Sequence, residues 1–385
     1  MSAPVTAAPQ PMLPVMRPWL GVEEQSAAAE AIASGWVAQG PRVAAFEQAV
    51  GARLAAENAV ALSSCTAALH LALVLLGVGP GDEVVVPSLS FIATANAVRY
   101  VGAAPVFADV DAATLNLTVE TIAAVTSPRT RAVILVHQAG TPADLDAVHG
   151  LCDPAGIAVV EDAACAIGAS YKGVPIGAAG DLVALSFHPR KIITTGEGGM
   201  LLTASSELAS RARRLREHGM SVSAAQRHAG LGLVHEQYLE TGFNYRMTDI
   251  QAAVGLVQLT RLDEIVQRRR DLAEEYRERL ADLPGLALPA DPRWGKSNFQ
   301  SYVVTLPDEF PVSRDELLDR YVRVGISPRR GIMAAHLEPA YEGQRHHPLP
   351  VTERLSRQSL VLPLFHHLTT EDQDRVAGVL RAAAF

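Results

Sequence analysis

Aromatic side chains are scarce in this chain, at 5% of 385 residues, and cysteines scarcer still, at three. An odd number of cysteines argues against a disulfide framework, and Cys65, Cys152 and Cys165 show no metal-ligand spacing. A reducing, cytoplasmic setting fits that count. The twelve histidines are scattered. His346-His347 and His366-His367 are adjacent pairs that lack the i, i+4 spacing of a helical metal site, so no metal is expected. No apolar run approaches the length of a membrane span, and no membrane partner is expected. With a net charge of −8 and no dense basic block, nucleic acid is not an expected partner either. The run Arg268-Arg269-Arg270 reads as the solvated face of a helix. The Ala/Pro-rich residues 1–14 lack the basic start and apolar segment of a signal peptide and read as a disordered lead-in.

What is abundant is apolar surface: 49% of residues are hydrophobic, enough for a large core. Short apolar runs at residues 59–63, 83–87, 105–110, 131–137, 158–161 and 182–186 read as strands. They alternate with helical patterns at 66–76, 91–101, 119–125 and 145–153, behind two leading helices at 23–34 and 42–54. This alternation predicts an α/β fold with a large, mostly parallel sheet and right-handed crossovers. From residue 248 the texture becomes helix-rich, with Thr248-Asp249 as an N-cap signal. Helices at 314–323 and 370–380 and strands at 298–306, 326–329 and 360–364 follow. The reading is a large domain over 15–254 and a smaller C-terminal α+β domain over 255–385.

Parallel sheets of this kind hold ligands beyond the carboxyl ends of their strands. Ser64-Cys65-Thr66, Asp162, Ser186 and Lys191 all stand at such positions. One strand delivering a carboxylate and a second delivering Ser and Lys is what a pyridoxal phosphate site needs. The lysine forms a Schiff base, and the carboxylate keeps the pyridine nitrogen protonated. Thr66, opening a helix after a strand, offers a hydroxyl and free backbone amides to a phosphate, although an ordinary N-cap would look the same. Phe91 can lie flat on a ring or serve the core. The glycines of Gly77-Val78-Gly79-Pro80-Gly81 follow a helix and precede a strand, the reverse of a dinucleotide turn. Neither a Walker A motif nor a Gly-x-Ser-x-Gly elbow is present.

Eight motifs then occur in order. They are Ser64-x-Thr66-x-Ala68-Leu69-His70, Gly81-Asp82-Glu83-Val84, Pro87-Ser88-x-x-Phe91, Pro105-Val106-Phe107-x-Asp109 and Glu161-Asp162-Ala163-Ala164, then Ser186-Phe187-His188-Pro189-x-Lys191, Gly196-Glu197-Gly198-Gly199 and Gly242-x-Asn244-Tyr245-Arg246-Met247. From about Pro14 to the C-terminus the chain resembles the DegT/DnrJ/EryC1/StrS aminotransferases. The resemblance implies a fold-type I pyridoxal 5'-phosphate enzyme, usually a homodimer with active sites shared across the interface. Such enzymes move an amino group from glutamate or glutamine to a keto sugar on a nucleotide.

Carried over residue by residue, Lys191 is the Schiff-base lysine and proton shuttle, and Asp162 pairs with the pyridine nitrogen. Phe91 stacks on the ring. Cys65, Thr66 and Ser186 hold the phosphate, and Asn244 reaches it from the other subunit. His188 and His336 are carried over as residues near the substrate. Two departures stand out: many members have Gly where Cys65 stands, and Gln or His, which contacts the ring hydroxyl, where Cys165 stands. Desolvation and neighbouring positive charge are expected to lower the Lys191 pKa. The retained lysine favours transamination over the dehydration run by a branch with His in its place. A cyclitol or other non-nucleotide ketone in natural-product biosynthesis is an alternative acceptor, and a pyridoxal phosphate-binding regulator without turnover an alternative function. The segment between residues 215 and 242, with His218, His228 and His235, reads as a lid or substrate loop.

Overall fold

A computed structural model describes residues 12–178, 180–222, 235–327 and 329–385. Its centre is a seven-stranded sheet of order β1-β9-β8-β5-β4-β2-β3. The strands are β1 (Asn58–Leu62), β2 (Glu83–Pro87), β3 (Ala104–Ala108), β4 (Thr130–Val136), β5 (Ala158–Asp162), β8 (Leu182–Ser186) and β9 (Gly199–Thr203). Two short strands, β6 (Ser170–Tyr171) and β7 (Val174–Pro175), form a separate small sheet with β10 (Gly295–Lys296). Neighbours from β8 to β3 pair in parallel, as the sequence predicts. These strands are apolar throughout because helices cover both faces. One face carries α3 (Cys65–Leu75), α4 (Ala93–Tyr100) and helix Ser206–Leu215, and the other carries α2 (Pro41–Leu54) and helix Asp249–Thr260. Because α3 is sandwiched between the sheet and two further helices, it is apolar almost all round.

β9, which the sequence does not lead one to expect, runs antiparallel to both β1 and β8. The reversal is made in the Gly196–Gly199 turn, where Gly196 has φ +85°. Gly199 then lies between Leu62 and Ser186 in register. A Cβ on Gly199 would stand 2.3 Å from the Ser64 carbonyl carbon and 2.4 Å from the Cys65 nitrogen, so only glycine lets β9 press against the start of α3.

Residue 255 falls inside helix Asp249–Thr260, which packs on α2 and on α1 (Val22–Ala33). Thr248 caps this helix, and the Asp249 carboxylate turns back to cap α2, accepting from the Gly40, Arg42 and Val43 amides. Helix Leu262–Leu280 then leads into a second core, built on the antiparallel sheet β11 (Tyr302–Thr305), β13 (Ser359–Leu362) and β12 (Arg329–Arg330).

Two expectations need correction. Arg269 is not on a solvated face: it is 1% exposed, and its guanidinium donates to the Phe299 and Gln300 carbonyls at 2.9 and 2.6 Å. The helix end lies against the second core, so the middle arginine of the run points inward and finds backbone acceptors. The lead-in does not extend to residue 14, because Leu13 is buried in the second core and pairs with Ile326; residues 1–11 lie outside the described ones. Of the expected lid, residues 223–234, with His228, also lie outside them. Its two stems are tied by the Glu217–Asn244 and Met220–Tyr238 bridges. Among the described residues no helix is long and apolar enough to cross a membrane, and no three metal-ligating side chains cluster.

Candidate active site

A cavity of about 420 Å³ opens over the carboxyl ends of β1, β5 and β8. The β5–β8 register sets Asp162 beside Ala184, so Ser186, two residues on, projects past Asp162 at the same sheet edge. Cys65, Thr66, Phe91, Asp162, Cys165 and Ser186 all line the cavity, and so do His188 and Lys191. Fold and register thus bring together eight of the ten expected site residues.

The N-terminus of α3 forms one wall. Its cap is Ser64, whose hydroxyl accepts from the Ala67 amide at 3.1 Å, not Thr66. The Cys65 and Thr66 amides and the Thr66 hydroxyl have no hydrogen-bond partner among the described residues. Together with Ser186 they form a neutral donor set at a positive helix end, the chemistry a phosphate dianion requires. What Cys65 offers that set is its amide, because its sulfur turns to the floor, 4.0 Å from Asp162 Oδ1. Burial and then the Asp162 charge push the Cys65 thiol well up.

Asp162 is held on that floor at 5% exposure. Its Oδ2 accepts from the Thr94 hydroxyl at 2.9 Å, and its Oδ1 from the Ala164 amide at 3.2 Å. Thr94 Oγ1 in turn lies 2.9 Å from Ser90 Oγ. Burial pushes the Asp162 carboxyl up, against the pull of Thr94, the Ala164 amide and Lys191. A dry carboxyl with spare lone pairs fits a protonated ring nitrogen, which would supply the full charge partner it needs. The neighbouring Glu161 has a structural duty on the opposite side of the strand. His137 Nδ1 accepts from the Ala143 amide at 3.1 Å, which leaves its Nε2–H to donate to Glu161 Oε2 at 2.9 Å.

Lys191 Nζ stands 3.2 Å from Cys165 Sγ. Burial draws its ammonium down, as expected, but Cys165, Cys65 and Asp162 outweigh burial and leave it above the ordinary lysine range. The expectation of a lowered pKa is overturned because the groups facing Nζ are sulfurs and a carboxylate, not cations. The Cys165 segment is pinned from behind by Asn298, whose Nδ2 donates to the Cys165 and Ile167 carbonyls at 2.8 Å each. Burial lowers His188, with the Glu197 carboxylate 4.0 Å away opposing it. Phe91 is 62% exposed at the cavity mouth, one apolar ring with an open face.

Two expected residues lie elsewhere. Asn244 is exposed on the stem of the loop and does not line this cavity. His336 sits one layer behind the wall: its Nδ1 lies 2.6 Å from Ser88 Oγ, and its own amide donates to Ser88 Oγ at 3.2 Å. Thr94, Ser90 and Asn298 went unnoticed in the sequence. Only the i, i+4 spacing of Ser90 and Thr94 at the start of α4 could have signalled the first two.

A glycine-reversed strand that presses a helix start against a serine, with a buried Asp and a half-buried Lys across one cavity, defines a fold-type I pyridoxal phosphate transferase. Residues 18–381 match the DegT/DnrJ/EryC1/StrS aminotransferase family, and the chain belongs to it. It is a pyridoxal phosphate-dependent aminotransferase. Among solved structures, the aminotransferase TlmJ from Streptoalloteichus hindustanus is similar at 39% identity and TM-score 0.89, over 97% of this chain and 98% of that one. DesV from S. venezuelae, solved in complex with ketimine intermediate, is similar at 35% identity and TM-score 0.88, over 97% and 99%. DesI, solved in the presence of its TDP-sugar product, is similar at 34% identity and TM-score 0.87, over 98% and 94%.

Proposed function

We propose that this aminotransferase moves an amino group from glutamate or glutamine to a keto sugar, in particular a nucleotide-linked 3-keto or 4-keto deoxysugar. The observation that carries the catalytic reading is the convergence of Lys191 and Asp162 on one cavity roofed by free α3 amides. Similarity to DesI, solved with a TDP-sugar product, supports the acceptor class.

Bound pyridoxal phosphate supplies the electron sink and carries the amino group between the two half-reactions. The chain's own residues do the rest. The Cys65 and Thr66 amides with the Thr66 and Ser186 hydroxyls hold the phosphate. Asp162 holds a proton at the ring nitrogen. Lys191 Nζ takes the α-proton of the donor amino acid and, in the second half-reaction, returns one to the acceptor carbon. Phe91 closes one face of the site against water. We further propose a homodimer in which Asn244, exposed beside Glu217, serves the phosphate of the neighbouring site.

The test is to load the protein with pyridoxamine phosphate, offer a panel of 3-keto and 4-keto nucleotide sugars alongside a cyclitol ketone, and mass-analyse the products. Amination of a nucleotide sugar is expected. Amination of the cyclitol alone would replace the acceptor class, and no amination of any ketone would overturn the reading.

A further inference from the structure

Two guanidinium groups line the cavity without an acidic partner among the described residues: Arg190 and Arg329. They arrive from different units. Arg190 directly precedes Lys191 in the large domain, and its carbonyl accepts from the Gln300 side chain, which fixes that turn. Arg329 opens β12 in the second sheet, opposite Val361, which also lines the cavity. Strand alternation turns the next residue the other way, and Arg330 faces outward near Asp315 at 3.9 Å. Arg329 is half-buried, and burial followed by the charge of Arg190 lowers it, so the two cations feel each other. Asp162 and Glu197 are the acidic residues of the lining. The first is engaged by Thr94 and Ala164, and the second faces His188. The mouth of the site therefore carries a pair of uncompensated positive charges.

Planar guanidinium groups recognise carboxylates and phosphates through paired N–H donors. Both chemistries pass through this cavity if the proposed function holds. In an amino acid, the α-carboxylate sits on the carbon that bears the amine, so an amine delivered to Lys191 places that carboxylate inside the cavity that both guanidinium groups line. In a nucleotide-linked sugar, the pyranose ring separates the diphosphate from a 3- or 4-keto carbon and carries it away from the lysine. We infer that Arg190 and Arg329 form the carboxylate subsite of the amino donor and select a doubly anionic amino acid, glutamate, over the singly charged glutamine. This rests on the aminotransferase reading and adds the identity of the donor.

Glutarate is the probe, since it carries both carboxylates and no amine. Titrated calorimetrically into the pyridoxal phosphate-loaded protein, it should bind to the wild type and about 10- to 100-fold more weakly to Arg329→Gln and Arg190→Gln, the loss expected for a charged hydrogen bond. Arg329→Lys, which keeps the charge and loses the fork, should fall between. Spectral reduction of the cofactor should be faster with glutamate than with glutamine in the wild type, and that preference should collapse in Arg329→Gln. Unchanged glutarate affinity in both Gln variants, with melting temperatures like the wild type, would overturn the assignment. So would loss of thymidine diphosphate binding with glutarate binding intact, which would make the pair a diphosphate site. Because glutarate binding involves no acceptor, a keto-sugar panel that fails while the arginine dependence holds would sink the proposed acceptor and leave this subsite standing.

Discussion

The Thr94 hydroxyl donates to Asp162 Oδ2 at 2.9 Å and is itself within 2.9 Å of Ser90, so the buried carboxyl on the cavity floor is wired to the turn that carries Phe91. That bond opposes the burial that pushes Asp162 up. Thr94→Val should therefore raise the Asp162 pKa further. Any step that needs the carboxylate ionised fades as pH falls through that value, so the acidic limb of the kcat/KM profile should move to higher pH. Pyridoxal phosphate affinity should drop about 10-fold, the worth of one hydrogen bond to a charged group. An unmoved acidic limb would remove Thr94 from the site's electrostatics.

The same shift gives the cofactor-free protein a stability slope. A carboxyl whose folded pKa exceeds its unfolded value of about 3.9 binds its proton more tightly when folded. Its contribution is complete below the unfolded value and is lost as pH rises through the folded one. Thermal melts of cofactor-free protein from about pH 4 upward should show this loss, and Asp162→Asn should flatten it.

Lys191→Ala removes the amine assigned to proton transfer in the proposed mechanism and opens space at a cavity edge that already borders solvent. Folding should persist, the absorbance of the lysine–cofactor imine should vanish, and turnover should fall by at least about 100-fold, the lower range for a positioned acid–base group. Wild-type-like turnover in this variant would refute the assigned role.

Most of this site was legible because strand ends leave short, strong signals. The six strands of the sequence reading matched the sheet, since buried parallel strands read as unbroken apolar runs. Asp162, Ser186 and Lys191 followed from strand ends alone. The unread part has a common cause. β9 was obscured by its glycine-rich approach, whose purpose, letting Gly199 touch Ser64 and Cys65, exists only in three dimensions. Arg269, Asn298 and Thr94 act on backbone carbonyls or a carboxylate distant in sequence, and a single chain carries no mark of such pairings. The sign of the Lys191 shift is not legible in the sequence, because it depends on which side chains face Nζ, and proximity in sequence to Arg190 says nothing of that.

His336 offers a separate test. Its Nδ1 lies 2.6 Å from Ser88 Oγ and its Nε2 3.8 Å from Glu353, and the adjacent Ala335 amide donates to the Ser88 carbonyl at 2.7 Å, clasping residues 335–336 onto the turn that leads to Phe91. His336→Ala leaves a buried hydroxyl poorly partnered, at a cost of about 1–3 kcal/mol in chemical unfolding. The KM for the keto acceptor should change less than the stability does. A large KM effect with unchanged stability would instead place the imidazole against substrate.

Cys165 sets the last prediction. Its sulfur, 3.2 Å from Lys191 Nζ, heads the groups that hold the ammonium above its ordinary value against burial. Cys165→Ala leaves burial with less opposition, so the Lys191 pKa should fall. Free Lys191 acts as a base only when neutral, and a lower pKa makes it neutral at lower pH. The rising limb of the amino-donor half-reaction, followed by the spectral change of the cofactor, should therefore shift to lower pH in the variant. Cys165→Ser, which puts a hydroxyl in place of the sulfur, should shift it in the same direction. A limb that moves to higher pH in both would show that burial does not control this lysine and that the sulfur is not what raises it.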